Sequence, residues 1–204
     1  MSGGVLVIRS GELKPTPWPN GRGVTRDILR RTQADGRIDW LLSIADLNQD
    51  APFSHFADVD RVFTVIEGGP VELTIEGAGP AACGFLVPFC FPGDRPSACR
   101  TFGASARAFN VFVDRATLAA RVTAQSIAAG HVAPIVPGVA AIFCAAGQIE
   151  VGGTILEAGD TLEGAGATGL RARGGAAAVL LIDVAQRSAG SAVEMSTGSS
   201  GPRR

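Results

Sequence analysis

The chain has no tyrosine and only two histidines, His55 and His131, among its 204 residues. Without a phenol, the His–Tyr acid/base pair used by many isomerases and epimerases is excluded. Two histidines with no H-x-H spacing exclude a three-histidine site within one chain, and iron, manganese and nickel favour imidazole at short spacing. His55 sits in a serine-containing turn and reads as a solvated or capping side chain, while His131 follows Gly130 and reads as incidental. The four cysteines, Cys83, Cys90, Cys99 and Cys144, form no C-x-x-C pair. They read as small buried hydrophobes in a reducing cytosol, not as disulfides or a zinc site. Lys14 is the only lysine, and the net charge of −1 favours neither nucleic acid nor an anionic membrane. No apolar run approaches the roughly 20 residues of a spanning helix. The first residues lack the basic and apolar regions of a signal peptide, so a cytoplasmic location is expected. No G-x-G-x-x-G or P-loop pattern occurs, and Gly21-Arg22-Gly23 lacks the strand and helix that would make it a phosphate cradle.

Hydrophobic residues make up 46% and charged residues 18%, the balance of a globule with a substantial core. Period-two alternation broken by glycine and proline dominates, and helical periodicity is nearly absent. The pattern predicts strands over Val5–Ile8, Val24–Arg30, Trp40–Ala45, Val62–Glu67, Val71–Ile75, Gly84–Val87, Ala98–Phe102 and Ala106–Val113. A second series covers Leu118–Ile127, Ala140–Cys144, Gln148–Val151, Thr154–Leu156, Gly169–Arg173 and Ala177–Val184, with a short helix expected near Asp114–Arg121. Such a run of short strands implies an all-β sandwich or barrel. An internal echo divides it. The stretch Glu67-Gly68-Gly69-Pro70-Val71-Glu72, then Gly93-Asp94, then Phe109–Val113, is answered by Ala146-Gly147-Gln148-Ile149-Glu150, Gly159-Asp160 and Val179–Asp183. Residues 1–113 are therefore expected to form a first lobe with the ligand pocket and 114–185 a second, smaller one. From Gln186 to Arg204 the composition is Ser, Gly and charge, which predicts a disordered tail.

Polar groups and aromatics concentrate between Trp18 and Arg61. Both tryptophans, Trp18 and Trp40, lie there beside Asn20-Gly21, Arg26, Ser43, Ser54 and Arg61. A binding site needs a few placed polar groups among aromatics, whereas a core does not. On the strand from Arg61 to Glu67, alternation puts Arg61, Phe63, Val65 and Glu67 on one face. A guanidinium at one end and a carboxylate at the other suit a ligand with an anionic and a hydrogen-bonding end. Read as an outward face, the same row would be surface ion pairs. Asn110 interrupts an apolar strand, and a buried amide needs partners. Asn20-Gly21 is also an ordinary turn dipeptide. Trp40 can wall a pocket or plug a core, and Ser43 lies on the face opposite to it. A covalent mechanism can be drawn with Cys90 or Ser54 and His55. However, Ser54 and His55 are neighbours that an extended chain sends to opposite faces.

The motifs W-x-N-G-x-G-x-T-R from Trp18, D-W-x-L-S-I-A-D from Asp39, P-F-S-x-F-x-x-x-D-R from Pro52, Phe91-Pro92-Gly93-Asp94 and Phe109-Asn110 occur in order. In these the sequence resembles the HutD/Ves family, found beside bacterial histidine-utilisation genes, from about Trp18 to Val184. The resemblance implies a two-lobed cupin fold (a bicupin, a duplicated jelly-roll barrel) with no assigned catalytic activity. It also implies binding of a small carboxylate such as urocanate or formylglutamate. Three positions depart from the family pattern: Arg22 stands for glycine, Leu41 for arginine and Ala108 for aspartate. The leading expectation is a metal-free receptor without cofactor, in a regulatory or buffering role. Arg61 or Arg26 would hold the carboxylate, Asn20, Asn110 and Glu67 would orient polar groups, and Trp18, Trp40 and Phe63 would wall the pocket. A second is a metal-independent lyase, isomerase or hydrolase with Glu67 as general base. A third is a scaffold whose lobes stack into a homodimer.

Overall fold

Apolar alternation becomes nineteen strands among the described residues of the computed structural model, which are 5–18, 20–164 and 168–187. The first part holds β1 (Leu6–Ile8), β2 (Thr16–Pro17), β3 (Gly23–Thr32), β4 (Ile38–Leu47), β5 (Ala51–Pro52), β6 (Val59–Gly68), β7 (Val71–Ile75), β8 (Ala81–Cys83), β9 (Phe89–Pro92), β10 (Ser97–Arg100) and β11 (Ala106–Asp114). Then come β12 (Leu118–Ile127), β13 (Val132–Pro134), β14 (Val139–Ala146), β15 (Gln148–Val151), β16 (Thr154–Glu157), β17 (Thr161–Glu163), β18 (Gly169–Ala172) and β19 (Ala177–Gln186). One turn of 3-10 helix, Ser10–Glu12, joins β1 to the chain leading into β2.

The strands form four sheets, ordered β2-β3-β4-β11-β6-β9, β5-β10-β7-β8, β1-β17-β14-β19-β12 and β13-β18-β15-β16. All four are open, so the expected closed barrels are absent among the described residues. Side-chain packing joins each sheet to the next, and Arg31 on β3 adds a polar tie to Glu163 on β17 at 2.8 Å. The first two sheets enclose a core including Leu47, Phe63, Leu73 and Phe91. The last two enclose one of Ile142, Ile149, Leu156 and Leu181. A third core joins the two large sheets back to back, with Phe109 stacked on Phe143 at 4.6 Å between ring centroids. Fully burying a Phe or Leu side chain contributes about 1.5–3 kcal/mol. The interface between the large sheets is therefore held by the same kind of burial as each sandwich interior.

Four expectations about the chain's course are corrected. Strand β1 does not belong with the first lobe, because it pairs antiparallel with β17, Leu6 opposite Glu163 and Ile8 opposite Thr161. Asp160 fixes this crossing: its carboxylate accepts from Ser10 N at 2.9 Å and from Arg9 Nη1 at 2.7 Å. Desolvation pushes that carboxyl up, but the Ser10 N–H and the Arg9 guanidinium hold it below the usual carboxylate range. The expected helix near Asp114–Arg121 is instead a turn into β12, closed by Asp114 Oδ1 accepting from Ala116 N at 2.7 Å and Thr117 N at 3.3 Å. Gly84–Val87 is likewise a turn between β8 and β9. The expected tail starts too early. Gln186 ends β19, and Arg187 donates to Leu118 O at 2.7 Å and to Asp60 at 2.6 Å. The rest of that tail, 188–204, lies outside the described residues.

Candidate functional site

The face of the six-stranded sheet that looks into the first sandwich is organised in rows across the strands. Register places Thr25, Ala45, Ala108 and Val65 in one row, and Asp27, Ser43, Asn110 and Phe63 in the next. Arg30, Leu41, Phe112 and Arg61 form a third. A cavity of about 220 Å³ opens over these rows, bounded on its far side by Phe53, Ser54 and Phe56 in the segment after β5.

Arg61 is only 4% exposed, yet its guanidinium meets no carboxylate among the described residues. Its Nε and Nη2 donate to Asn110 Oδ1 at 3.0 and 2.7 Å. Asn110, 1% exposed, uses its own Nδ2 to reach Ala108 O at 3.3 Å. Four phenyl rings surround the charge: Phe53 at 4.1 Å, Phe112 at 5.1 Å, Phe91 at 5.3 Å and Phe63 at 5.7 Å from the guanidinium carbon. Ring faces attract a cation, by up to about 2 kcal/mol when water is excluded. They do not replace its hydration, and burial pushes the Arg61 pKa down from the usual arginine value to about 9. The side chain remains cationic at neutral pH, and its Nη1 makes no hydrogen bond among the described residues. A charge placed this way is ready to grip an anion entering the cavity.

Trp18 forms part of the wall. Its Nε1 donates to Thr25 Oγ1 at 2.7 Å, and its ring meets Phe53 edge-on at 6.3 Å. The indole lies flat over Gly23, where an added Cβ would stand 3.0 Å from two ring atoms and 2.7 Å from Asp46 O. That close approach explains a glycine in the W-x-N-G-x-G motif.

The sequence-derived site residues therefore separate. Trp18, Arg61 and Asn110 meet at the cavity, and Phe63, wholly buried, backs the Arg61 guanidinium without reaching the open space. Four others lie elsewhere. Asn20 is an exposed turn former whose Oδ1 accepts from Arg22 N at 3.0 Å. Arg26 points to the opposite face of the sheet and pairs with Asp46 at 2.6 Å. Trp40 packs against the core between the two large sheets. Glu67 is exposed and paired with Arg107 at 3.0 Å. A bulge opposite Arg107 and Ala108 breaks the alternation after Val65 and turns Glu67 out of the Arg61 row. The general-base role considered for Glu67 loses its place with it.

Lining residues that sequence reasoning passed over include Thr25, Asp27, Arg30, Ser43 and Phe112. Ser43 was legible as the alternative to Trp40 on the same strand. Asp27 and Arg30 were not, because a second bulge, at Ile28, puts two residues three apart on one face. Leu41 stands directly on the cavity wall. Among the described residues, no three His, Cys, Asp or Glu side chains gather to hold a metal ion, and no helix is long and apolar enough to cross a membrane.

Comparison with known proteins places the chain in a family. A 21.2 kDa protein of the hutC 3' region of Pseudomonas putida is 33% identical over 107 residues, 52% of this chain and 56% of that protein. Protein Ves of Escherichia fergusonii is 33% identical over 78 residues, 38% of this chain and 41% of Ves. The match thus spans about half the length of these curated relatives. Among solved structures, HutD from Pseudomonas fluorescens SBW25 superposes with a TM-score of 0.76 at 30% identity, covering 91% of this chain and all of that one. A cupin 2 conserved barrel domain protein from Leptotrichia buccalis, at 15% identity, shares the fold with a TM-score of 0.56 over 87% of this chain and 100% of that one. The HutD family profile matches residues 10–182, and the chain belongs to the HutD family, which is linked to histidine utilisation.

Proposed function

We propose that the chain is a receptor for a small carboxylate metabolite of histidine breakdown, of the urocanate or formylglutamate type, which binds without a metal. Its role is then to regulate or buffer that pathway. One observation carries this reading: a buried, caged arginine with no carboxylate partner faces a cavity. Burying an ion costs several kcal/mol unless a counter-charge compensates it, and no such charge comes from the described residues. An incoming carboxylate supplies it, accepting from Arg61 Nη1 and the free N–H of Nη2.

The second sandwich serves as an internal control. Its strand order repeats that of the first at an offset of eight, β9-β6-β11-β4 answering β17-β14-β19-β12 and β5-β10-β7-β8 answering β13-β18-β15-β16. Gly68 and Gly147 open matching hairpins at φ 90 and φ 74, pressed against Ser105–Ala106 and Ala176–Ala177 in the same way. We read this as the duplicated jelly roll of a bicupin. Register then equates Phe63 with Ile142, Asn110 with Leu181 and, across the shift at Ala140, Arg61 with Val139. The second copy folds on an all-aliphatic filling at those positions, so the polar pair of the first is not required by the architecture.

Calorimetric titration with urocanate and with formylglutamate, each followed by an assay for consumption of the acid, tests the reading. Binding without turnover, lost in Arg61→Met, is the expected result. Absence of binding by either acid, or turnover at the site, overturns it.

A further inference from the structure

The cavity has a second pole. Asp27 and Arg30 share its outer rim because the bulge at Ile28 sends Ile28 and Leu29 into the core behind the sheet. A regular strand would put Asp27 and Arg30 on opposite faces. Here Arg30 Nε and Nη2 both donate to Asp27 Oδ2, at 3.0 and 2.8 Å. The pairing leaves Asp27 Oδ1 as an unused acceptor and Arg30 Nη1 as an unused donor among the described residues. Half-exposed pairs of this kind add little to stability, so folding alone does not call for it. Bulges are over-represented beside active sites, where they re-aim side chains.

Building on the carboxylate-receptor reading, we infer that the Asp27–Arg30 pair reads the far end of the ligand, selecting a carboxylate whose other end carries an N–H donor beside a hydrogen-bond acceptor. Asp27, Ser43 and Asn110 occupy one cross-strand row on β3, β4 and β11. The backbones of Asp27 and Asn110 are therefore two strand spacings, about 10 Å, apart. Arg61 leans toward Asn110 and Arg30 toward Asp27, which brings the two poles onto the same row with the Ser43 hydroxyl between them. Leu41, one row out, offers an apolar wall for the unsaturated or methylene spacer of such a ligand. The far pole is amphoteric. A second carboxylate would face Asp27, and an ammonium group would face Arg30. A neutral imidazole satisfies both at once, its N–H donating to Asp27 Oδ1 and its bare ring N accepting from Arg30 Nη1. An unpaired donor or acceptor left in a partly buried site is what generates discrimination against analogues lacking the group.

The test compares urocanate with its furan analogue, which keeps the acrylate and a five-membered ring but has no N–H. Titration of the full chain is expected to show urocanate bound about tenfold more tightly, the factor expected from one to two hydrogen bonds. Asp27→Ala should bring urocanate down to the affinity of the furan analogue and leave the analogue within about twofold of its wild-type value. Arg30→Leu, which keeps the Asp27 carboxylate, should also weaken urocanate selectively, and Arg61→Met should remove both ligands. Equal binding of the two acids by the wild type, or a preference that survives Asp27→Ala, overturns the inference while the carboxylate reading stands. If neither acid binds, both readings fall together.

Discussion

At the residue scale the molecule turns on a guanidinium kept where water is scarce. A structural arginine would stabilise the fold through its partners. This one has an amide and four rings, which hold it in place without neutralising it. Its pKa near 9 means that, from about pH 9 up to the usual arginine value, the unfolded chain binds more protons than the folded one. The buried charge therefore costs stability below pH 9, and that cost is recovered as pH rises through this window. A ligand carboxylate needs the charged form. Its affinity is expected to be flat up to about pH 8 and to fall about tenfold per pH unit once Arg61 deprotonates above about 9, as pH-resolved calorimetry would show. Double substitution separates structure from function further. Asn110→Leu leaves the guanidinium with no hydrogen-bond partner and is expected to lower stability by about 2–4 kcal/mol. Arg61→Met with Asn110→Leu, which copies the aliphatic filling of the second sandwich, should restore the denaturation midpoint to the wild-type value or above it while binding stays lost. A double variant less stable than Asn110→Leu alone would make the pair structural.

At the element scale two bulges decide which side chains reach the cavity. Alternation read along Arg61, Phe63 and Val65 places these side chains as the structure does, because β6 is regular there. It fails at Glu67, beyond the bulge, and it cannot anticipate Asp27 with Arg30, which exist as a facing pair only through the bulge in β3. Bulges follow from the register between strands, which pairwise alternation within one strand does not encode. Trp40 failed for a different reason. The six-stranded sheet is covered on both faces, so an aromatic on either side is buried, and size and polarity do not say which side holds the cavity. Ser43 and Asn110 were better signals, being polar groups at buried positions. Glu67→Gln accordingly should leave carboxylate affinity within about twofold and stability within about 0.5 kcal/mol, since it removes only an exposed ion pair. A larger loss of affinity in that titration would return Glu67 to the site.

At the scale of the whole molecule, the two sandwiches share a core as well as a linker. The echo around Gly68 and Gly147 in the sequence fits the matching strand orders of the two sandwiches. The crossing of β1 was not legible, because Leu6-Val7-Ile8 would suit the edge of either large sheet. What selects the sheet is the carboxylate of Asp160, some 150 positions along the chain, receiving Arg9 and the Ser10 N–H. The same strategy closes the other end. Asp60, at the start of β6, takes one bond from Arg115 Nε and one from Arg187 Nη2, each at 2.6 Å. Arg115 also forks onto Asp94, which lies well below the usual carboxylate range because the Arg115 side chain donates to it. The interface between the large sheets itself is apolar and holds the Phe109–Phe143 stack. Continuity of that apolar layer implies that neither sandwich melts alone. Phe143→Ala removes a wholly buried ring from the second sandwich's side and is expected to cost about 3–5 kcal/mol. The loss should appear as one cooperative transition shifted to lower denaturant, reported equally by Trp18 and Trp40 fluorescence in the first sandwich and by far-ultraviolet circular dichroism of the whole. Two separated transitions, with the tryptophan signal left at its wild-type midpoint, would mean that the sandwiches fold as independent bodies.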